Sequence, residues 1–270
     1  MSDRILIATQ DGVADVRLNR PDKMNALDAA MFEALVEAGK DLAGRRDLRA
    51  VVLSGEGRAF SAGLDFTSFA AMAGGGAERP TRSLFERGSE SPANHAQRAA
   101  WVWREVPVPV IAAIHGVAYG GGLQVALGAD VRFVAPDAKL SVMEIKWGLV
   151  PDMSGTQTLR HLVRLDVAKE LTFTGRILNG REAVELGLAT RVADDPRAAA
   201  LAMAREIAQK SPSAIRAAKR LLNEAVVSDV AAGLALEQSL QTGLLGRPNQ
   251  VEAVKANLEK RAPRFADPEA

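Results

Sequence analysis

Three consecutive glycines, Gly120, Gly121 and Gly122, lie within the run IHGVAYGGGLQVALGAD from Ile114 to Asp130, where an apolar stretch gives way to a helical pattern. Such residues at a helix entrance can hold an anion. Without a Cβ they let a ligand reach the backbone, and the N–H groups of a first helical turn have no intrahelical acceptor. The helix dipole adds attraction for negative charge, including charge that develops only during a reaction. Taken alone, the glycines serve equally well to let a strand and a helix pack closely. Competing chemistries lack their residues: there is no GxSxG elbow, no GxxxxGK phosphate loop and no HExxH zinc helix. GEGRAF at Gly55 to Phe60 begins like a dinucleotide fingerprint but has Phe60 where a third glycine belongs. His95, His115 and His161 show no ligand spacing, and His115, beside an apolar strand, reads as a satisfied core residue. The lack of cysteine excludes disulfides, thiolate nucleophiles and cysteine-ligated metals.

The elements that must position these glycines are readable from pattern. Ile5 to Leu18 reads as two strands around the turn pair Asp11-Gly12. From the N-cap candidate Asp28, Met31, Leu35, Ala38 and Leu42 recur at helical spacing up to Gly44. Ala50 to Leu53 and Val108 to Ile114 are continuous apolar runs, the mark of strands buried on both faces, and Lys139 to Glu144 is a further strand candidate. This alternation predicts an α/β fold with parallel pairing. Ala70 to Asn94, rich in small residues and proline, reads as a loop or lid. After Asp195-Pro196 the pattern is helical, and breaks at Ser211-Pro212, Ser228-Asp229 and Arg247-Pro248 divide it into four helices. The expected organisation is a core over residues 1–195 and a helical region over 196–270.

Composition narrows the function classes. At 270 residues, with 47% hydrophobic and 25% charged residues, the chain suits a globular protein with a sizeable core. A net charge of +1, dispersed basic residues and 4% aromatics argue against a nucleic-acid partner. No stretch approaches the ~20 uninterrupted apolar residues of a spanning helix, and the start MSDRILIATQ lacks a signal peptide's apolar core. A cytoplasmic protein with no membrane partner is expected.

Together, GEGRAFSAGLDF at Gly55 to Phe66 and IHGVAYGGGLQVALGAD resemble the two signature segments of the crotonase superfamily, the enoyl-CoA hydratase/isomerase family. LNRPDKMNALD, MEIKWGLVPDMSGTQTL, LTFTGRILNGREAVELGLATRV and EKRAPRF are similar to further family segments in the same order. The resemblance implies a spiral of ββα turns with a C-terminal helical trimerisation region, homotrimers or dimers of trimers, and an acyl-CoA substrate without a separate cofactor. It implies an oxyanion hole made by the backbone N–H groups of Leu64 and Gly121. Two such donors aimed at a thioester oxygen would stabilise an enolate by roughly 3 to 4 kcal/mol each.

The resemblance also marks two acid positions. Family hydratases place a glutamate just after the glycines, where this chain has Gln124, which can bond a water but cannot shuttle a proton. The second glutamate is retained as Glu144, whose apolar neighbours Val142, Met143 and Ile145 should raise its pKa toward that of a general base. Asp152 stands where dienoyl-CoA isomerases and aromatic acyl-CoA dehalogenases have aspartate; it serves equally as a second acid or as a helix cap before Ser154-Gly155-Thr156. Trp147 is either core or pocket wall. Lys23 and Lys260, or its neighbour Arg261, match positions that contact CoA phosphates, the segment with Ala62 and Asp65 runs along the CoA, and Asp65 itself reads as a turn-stabilising residue. Double-bond isomerisation is thus expected first and hydration second. Dehalogenation follows as a distant third, and a non-catalytic CoA- or RNA-binding relative is the alternative of a different class.

Overall fold

The computed structural model describes residues 3–65, 67 and 84–268. Asp11 and Gly12 both take positive φ, 51° and 76°, as a two-residue hairpin turn requires, and fold Ile5–Gln10 (β1) antiparallel to Val13–Leu18 (β2). The Asp28 side chain accepts from the Met31 N–H and starts Ala29–Ala43 (α1), which buries Met31, Leu35, Ala38 and Leu42 as its periodicity predicts. Then come Ala50–Gly55 (β3), His95–Glu105 (α2), Val110–Ile114 (β4), Val117–Tyr119 (β5), Gly121–Leu127 (α3), Val131–Val134 (β6) and Lys139–Ser141 (β7). A 3-10 turn, Glu144–Trp147, leads to Gly155–Leu162 (α4), Leu165–Thr174 (α5), Leu178–Asn179 (β8), Gly180–Glu185 (α6) and Arg191–Val192 (β9).

Two sheets result. The larger has the order β1-β2-β3-β4-β6-β9, parallel from β2 onward, and the smaller is β5-β7-β8. Single parallel bridges, Leu27 to Leu64 and Ser61 to Ala118, continue the smaller sheet back through the chain. Each turn therefore visits the large sheet, then the small one, then a helix, which is the spiral the resemblance implies. Alternation explains the continuous apolar runs: Val51 and Leu53 face the main core with α1 and α2, whereas Ala50 and Val52 face a second core. That second core is closed by Ala200 and Ala204 of Pro196–Ala208 (α7).

The strand expected to reach Glu144 stops at Ser141. Its ladder partners are only three residues (β5) and two residues (β8) long, so beyond Ser141 nothing remains to pair with, and the backbone turns at Met143. Of the expected loop from Ala70 to Asn94, residues 70–83 lie outside the described residues; Asn94 at its end caps α2 reciprocally with Gln97. The helical region divides at the expected breaks into α7, Pro212–Ala225 (α8), Val230–Leu244 (α9) and Pro248–Leu258 (α10). The ammonium of Lys219 in α8 is buried and donates to the Trp103 and Val108 carbonyls and to Asp130, pinning that helix to the body. Among the described residues no helix is long and apolar enough to cross a membrane.

Candidate active site

The parallel stacking of successive turns brings three segments to one place. Ser61 pairs with Ala118, and Ala118 with Leu140, so the residues that follow each of them, Ala62 to Leu64, Tyr119 to Gly121 and Met143 to Glu144, leave the small sheet side by side. They line a cavity of about 340 Å³ whose remaining wall comes from the first turns of α1 and α2, Leu84, Phe85 and residues 147–153. The walls are mainly apolar, with Leu27, Phe32, Trp147 and Met153 among them.

Backbone bonding leaves two N–H groups of the cavity-lining residues outside the ladder and the helix. Gly63 O accepts from the Leu27 N–H at 2.7 Å, and because a trans peptide points its C=O and N–H in opposite directions, the Leu64 N–H faces away from Leu27. Gly120 O accepts from the Gln124 N–H at 3.0 Å as the first bond of α3, which turns the Gly121 N–H back out of the helix. Among the described residues neither N–H has an acceptor. Close approach of the two segments depends on Gly63, at φ +83°: a Cβ there would collide with the Tyr119 carbonyl oxygen and lie 3.6 Å from Gly121 N.

A buried polar network holds the first of these segments. Asn25, fully buried at φ 54°, accepts from the Arg20 N–H and donates to the carbonyls of Glu56 and Ala59. Ser61 donates to Asn25 O and accepts from the Gly63 N–H. Asp65 accepts from the Thr67 hydroxyl and N–H and pairs with Arg20 at 2.6 Å; the Thr67 bonds, followed by Arg20, pull its carboxyl down to about 2. Asp65 is thus the turn-stabilising residue its type suggests, and its carboxylate is engaged beside the cavity rather than in its wall.

Two carboxylates share the cavity wall. Glu144, 8% exposed, lies against Gly120, with Oε1 3.4 Å from where a Cβ on that glycine would sit. Its Oε1 accepts from Gln124 Nε2 at 2.6 Å, while Oε2 is buried and has no partner among the described residues. Burial, reinforced by the charge of Asp152, holds the Glu144 carboxyl above the ordinary glutamate value; its own backbone and Gln124 oppose the rise. Asp152 is exposed to solvent, yet partial desolvation raises its carboxyl too. The helix-cap role open to Asp152 is filled otherwise. Ser154 occupies the N-cap of α4 without a side-chain bond, and the N–H groups of Met153 and Gly155 both donate to Gln124 Oε1, at 2.9 Å each.

Comparison with known proteins gives this geometry a lineage. A family model described as enoyl-CoA hydratase/isomerase matches residues 8–268. Mouse enoyl-CoA hydratase domain-containing protein 2, mitochondrial, is 35% identical over 270 residues, covering 96% of this chain and 86% of its own. The chain belongs to the enoyl-CoA hydratase/isomerase family. Mouse methylglutaconyl-CoA hydratase, mitochondrial, another relative, is 32% identical over 261 residues, covering 94% and 79%. The crystal structure of an enoyl-CoA hydratase from Bacillus anthracis superposes with a TM-score of 0.89 at 30% identity, covering 98% of this chain and all of that one.

The fold is therefore the crotonase spiral. In this member of the family, the structure brings Leu64, Gly121, Gln124, Glu144, Asp152 and Ala62 to one cavity. Lys23, exposed in the 3-10 turn Pro21–Lys23, and Lys260, exposed at φ 52° beyond α10, lie off the cavity wall within the single chain. Arg261 is engaged by Glu252 and Glu259. Trp147 is cavity wall, half exposed rather than core, because the 3-10 turn carries it outward. His115 is half buried and bonds Gly57 O through Nε2. Sequence reasoning missed Asn25, Ser61 and Arg20 as supports of the Leu64 segment. The signal available was a run of polar residues, RPDKMN, immediately before the apolar start of α1.

Proposed function

We propose that this hydratase/isomerase shifts the double bond of an enoyl- or dienoyl-CoA through a thioester enolate. The observation that carries the reading is Glu144 Oε2, a buried carboxylate oxygen in the wall beside two N–H groups, all three without a partner among the described residues, with an amide instead of a second acid as its neighbour. The thioester oxygen would take the N–H groups of Leu64 and Gly121, which carry the charge as it forms and have nothing else to release. Glu144 as carboxylate removes a proton from the carbon chain, the electron pair delocalises to the thioester oxygen, and Asp152, protonated from solvent, delivers a proton at a second carbon as the enolate collapses. Glu144 then loses its proton to solvent. Desolvation raises both carboxyls above their ordinary values, the direction that makes a carboxylate a stronger base. All of these steps use protein groups and a CoA thioester, with no further cofactor or metal. Lys23 and Lys260 are assigned to the CoA phosphates, Lys260 from a neighbouring subunit.

Hydration is the second reading, favoured by the presence of two carboxylates, Glu144 and Asp152, in one cavity wall that a water could bridge. Incubation with 2-enoyl-, 3-enoyl- and 3,5-dienoyl-CoA in D2O distinguishes the two. Isomerisation moves the double bond and leaves deuterium on the chain, hydration yields a 3-hydroxyacyl product, and absence of both turnover and exchange on every substrate overturns catalysis in favour of a binding relative.

Assembly belongs to the same reading. Region 196–270 supplies the interface of a trimer or a dimer of trimers, beyond α7, which closes the sheet. In support, the 15 residues of α9 include Val230, Leu234 and Leu244, yet none of them is buried in the single chain. Sedimentation of a monomer at micromolar concentration would refute it.

A further inference from the structure

Gln124 makes three hydrogen bonds that join otherwise separate parts of the cavity wall. Two backbone N–H donors, Met153 and Gly155, converge on one atom of its amide, which identifies that atom as the oxygen and fills both of its lone pairs. The orientation of the amide is thereby settled, and Nε2 must face Glu144 Oε1 at 2.6 Å. The seat is shaped for it: a Cβ on Gly155 would come within 2.6 Å of Oε1 and 3.0 Å of the amide carbon. The two donors bracket Ser154, a non-glycine residue at φ 66°, a conformation that persists where its surroundings hold it. Asp152 is the residue before this bracketed turn.

We propose that Gln124 is a positioning residue that fixes both carboxylates from one amide. Its Nε2 immobilises Glu144 by one oxygen and leaves Oε2 as the single basic atom. Its Oε1 clamps the turn that carries Asp152. The inference rests on Glu144 being the base, and it gives the amide a job that a glutamate at the same place cannot do. A carboxylate at position 124 would retain the acceptor for Met153 and Gly155 but would set oxygen against oxygen at Glu144, so the two acids would have to share a proton. Of the charged groups around Glu144, Asp152 acts on it directly. Asp28, Glu33, His95 and Tyr119 line the same cavity, Lys146 lies on its own turn, and α5 behind that turn bears Asp166, Lys169 and Glu170.

The decisive experiment compares the wild type with Gln124→Glu, which keeps the clamp and changes only the contact to Glu144. Glutamate side chains are labelled with 13C at the carboxyl and titrated by NMR, with Glu144→Gln assigning the resonance. The expected result is a Glu144 midpoint raised by about one unit or more in Gln124→Glu, as a neighbouring carboxylate produces. Where turnover is measurable, kcat should fall roughly tenfold or more with KM changed little, and the acid limb of the pH profile should move up with the titration. An unmoved midpoint overturns the proposal. Should the variant not fold, the wild type alone decides: the Gln124 side-chain amide resonance must shift with pH at the Glu144 midpoint, and an amide indifferent to that titration overturns it equally. Both readouts are independent of turnover, so an inactive protein would sink the isomerase reading while leaving the positioning role measurable.

Discussion

Replacing Gly63 by alanine separates the two donor segments with one methyl group. At φ +83° an L residue carries a conformational cost of roughly 1–2 kcal/mol. The larger effect is local, because the new Cβ would collide with the Tyr119 carbonyl oxygen, one residue before the Gly120–Gly121 peptide, while only touching Gly121 N at 3.6 Å. Both neighbours are backbone, tied into the small sheet and into α3, so relief must come from the 62–64 segment itself. That segment is held by Gly63 O on the Leu27 N–H, and moving it re-aims the Leu64 N–H. Losing one donor of such a pair costs about 10²–10³ in kcat. Gly246→Ala is the control: it has a similar φ, +73°, with nothing within 4 Å of its added Cβ, and so reports the backbone cost alone. Urea denaturation should show the backbone cost in both variants and a further loss in Gly63→Ala from the collision with Tyr119, while the rate of double-bond migration should fall in Gly63→Ala alone. A folded Gly63→Ala protein that keeps its rate within about threefold of wild type would refute the assignment of these N–H groups to the reacting oxygen.

Other perturbations test the acids and the scaffold. Glu144→Gln should lower turnover by about 10²–10⁴ while acyl-CoA binding persists, measured by kinetics and calorimetry. It should also change stability with a definite sign. The unfolded chain ionises Glu144 near the ordinary value of 4.5, but the folded chain does so only at higher pH, so the unfolded state binds fewer protons between those values and stability falls as pH rises through that window. Thermal melts should therefore show Glu144→Gln gaining on the wild type at neutral pH but not at about pH 4. Asp152→Asn should slow isomerisation while deuterium exchange at the first carbon continues, and its stability should stay within about 0.5 kcal/mol of wild type, since α4 is not capped by Asp152; equal isomerisation rates would remove Asp152 from the chemistry. Lys219→Met should destabilise the protein by about 3 kcal/mol in urea, since two buried carbonyls and Asp130 lose their donor together.

What could be read from the sequence follows the range of the forces involved. The Asp11-Gly12 hairpin, the Asp28 cap and the four C-terminal helices are set by residues within a few positions of one another, and the structure has them where the patterns put them. The strand pattern runs on to Glu144, but strand length depends on partners elsewhere: β5 and β8 end, and β7 ends with them at Ser141. The glycines read as an anion cradle from their type and spacing, yet local pattern says nothing about what lies against them. That is decided by the stacking of successive turns, which brings Leu64 from one turn, Gly121 from the next and Glu144 from a third to the same edge of the small sheet.

Gln124 shows the limit most sharply. As a residue type it reads as a lost acid, a position where hydration chemistry is missing its partner. Its partners lie 20, 29 and 31 residues away, and each uses a different atom or lone pair of one amide. A carboxylate offers only acceptors, so it could satisfy the turn at Met153 and Gly155 or share a proton with Glu144, but it could not donate to a Glu144 that is ionised. An amide does both at every pH. On the proposed reading, the amide therefore leaves Glu144 with one oxygen fixed and, among the described residues, one without a partner, the arrangement proposed for abstraction of a carbon-bound proton.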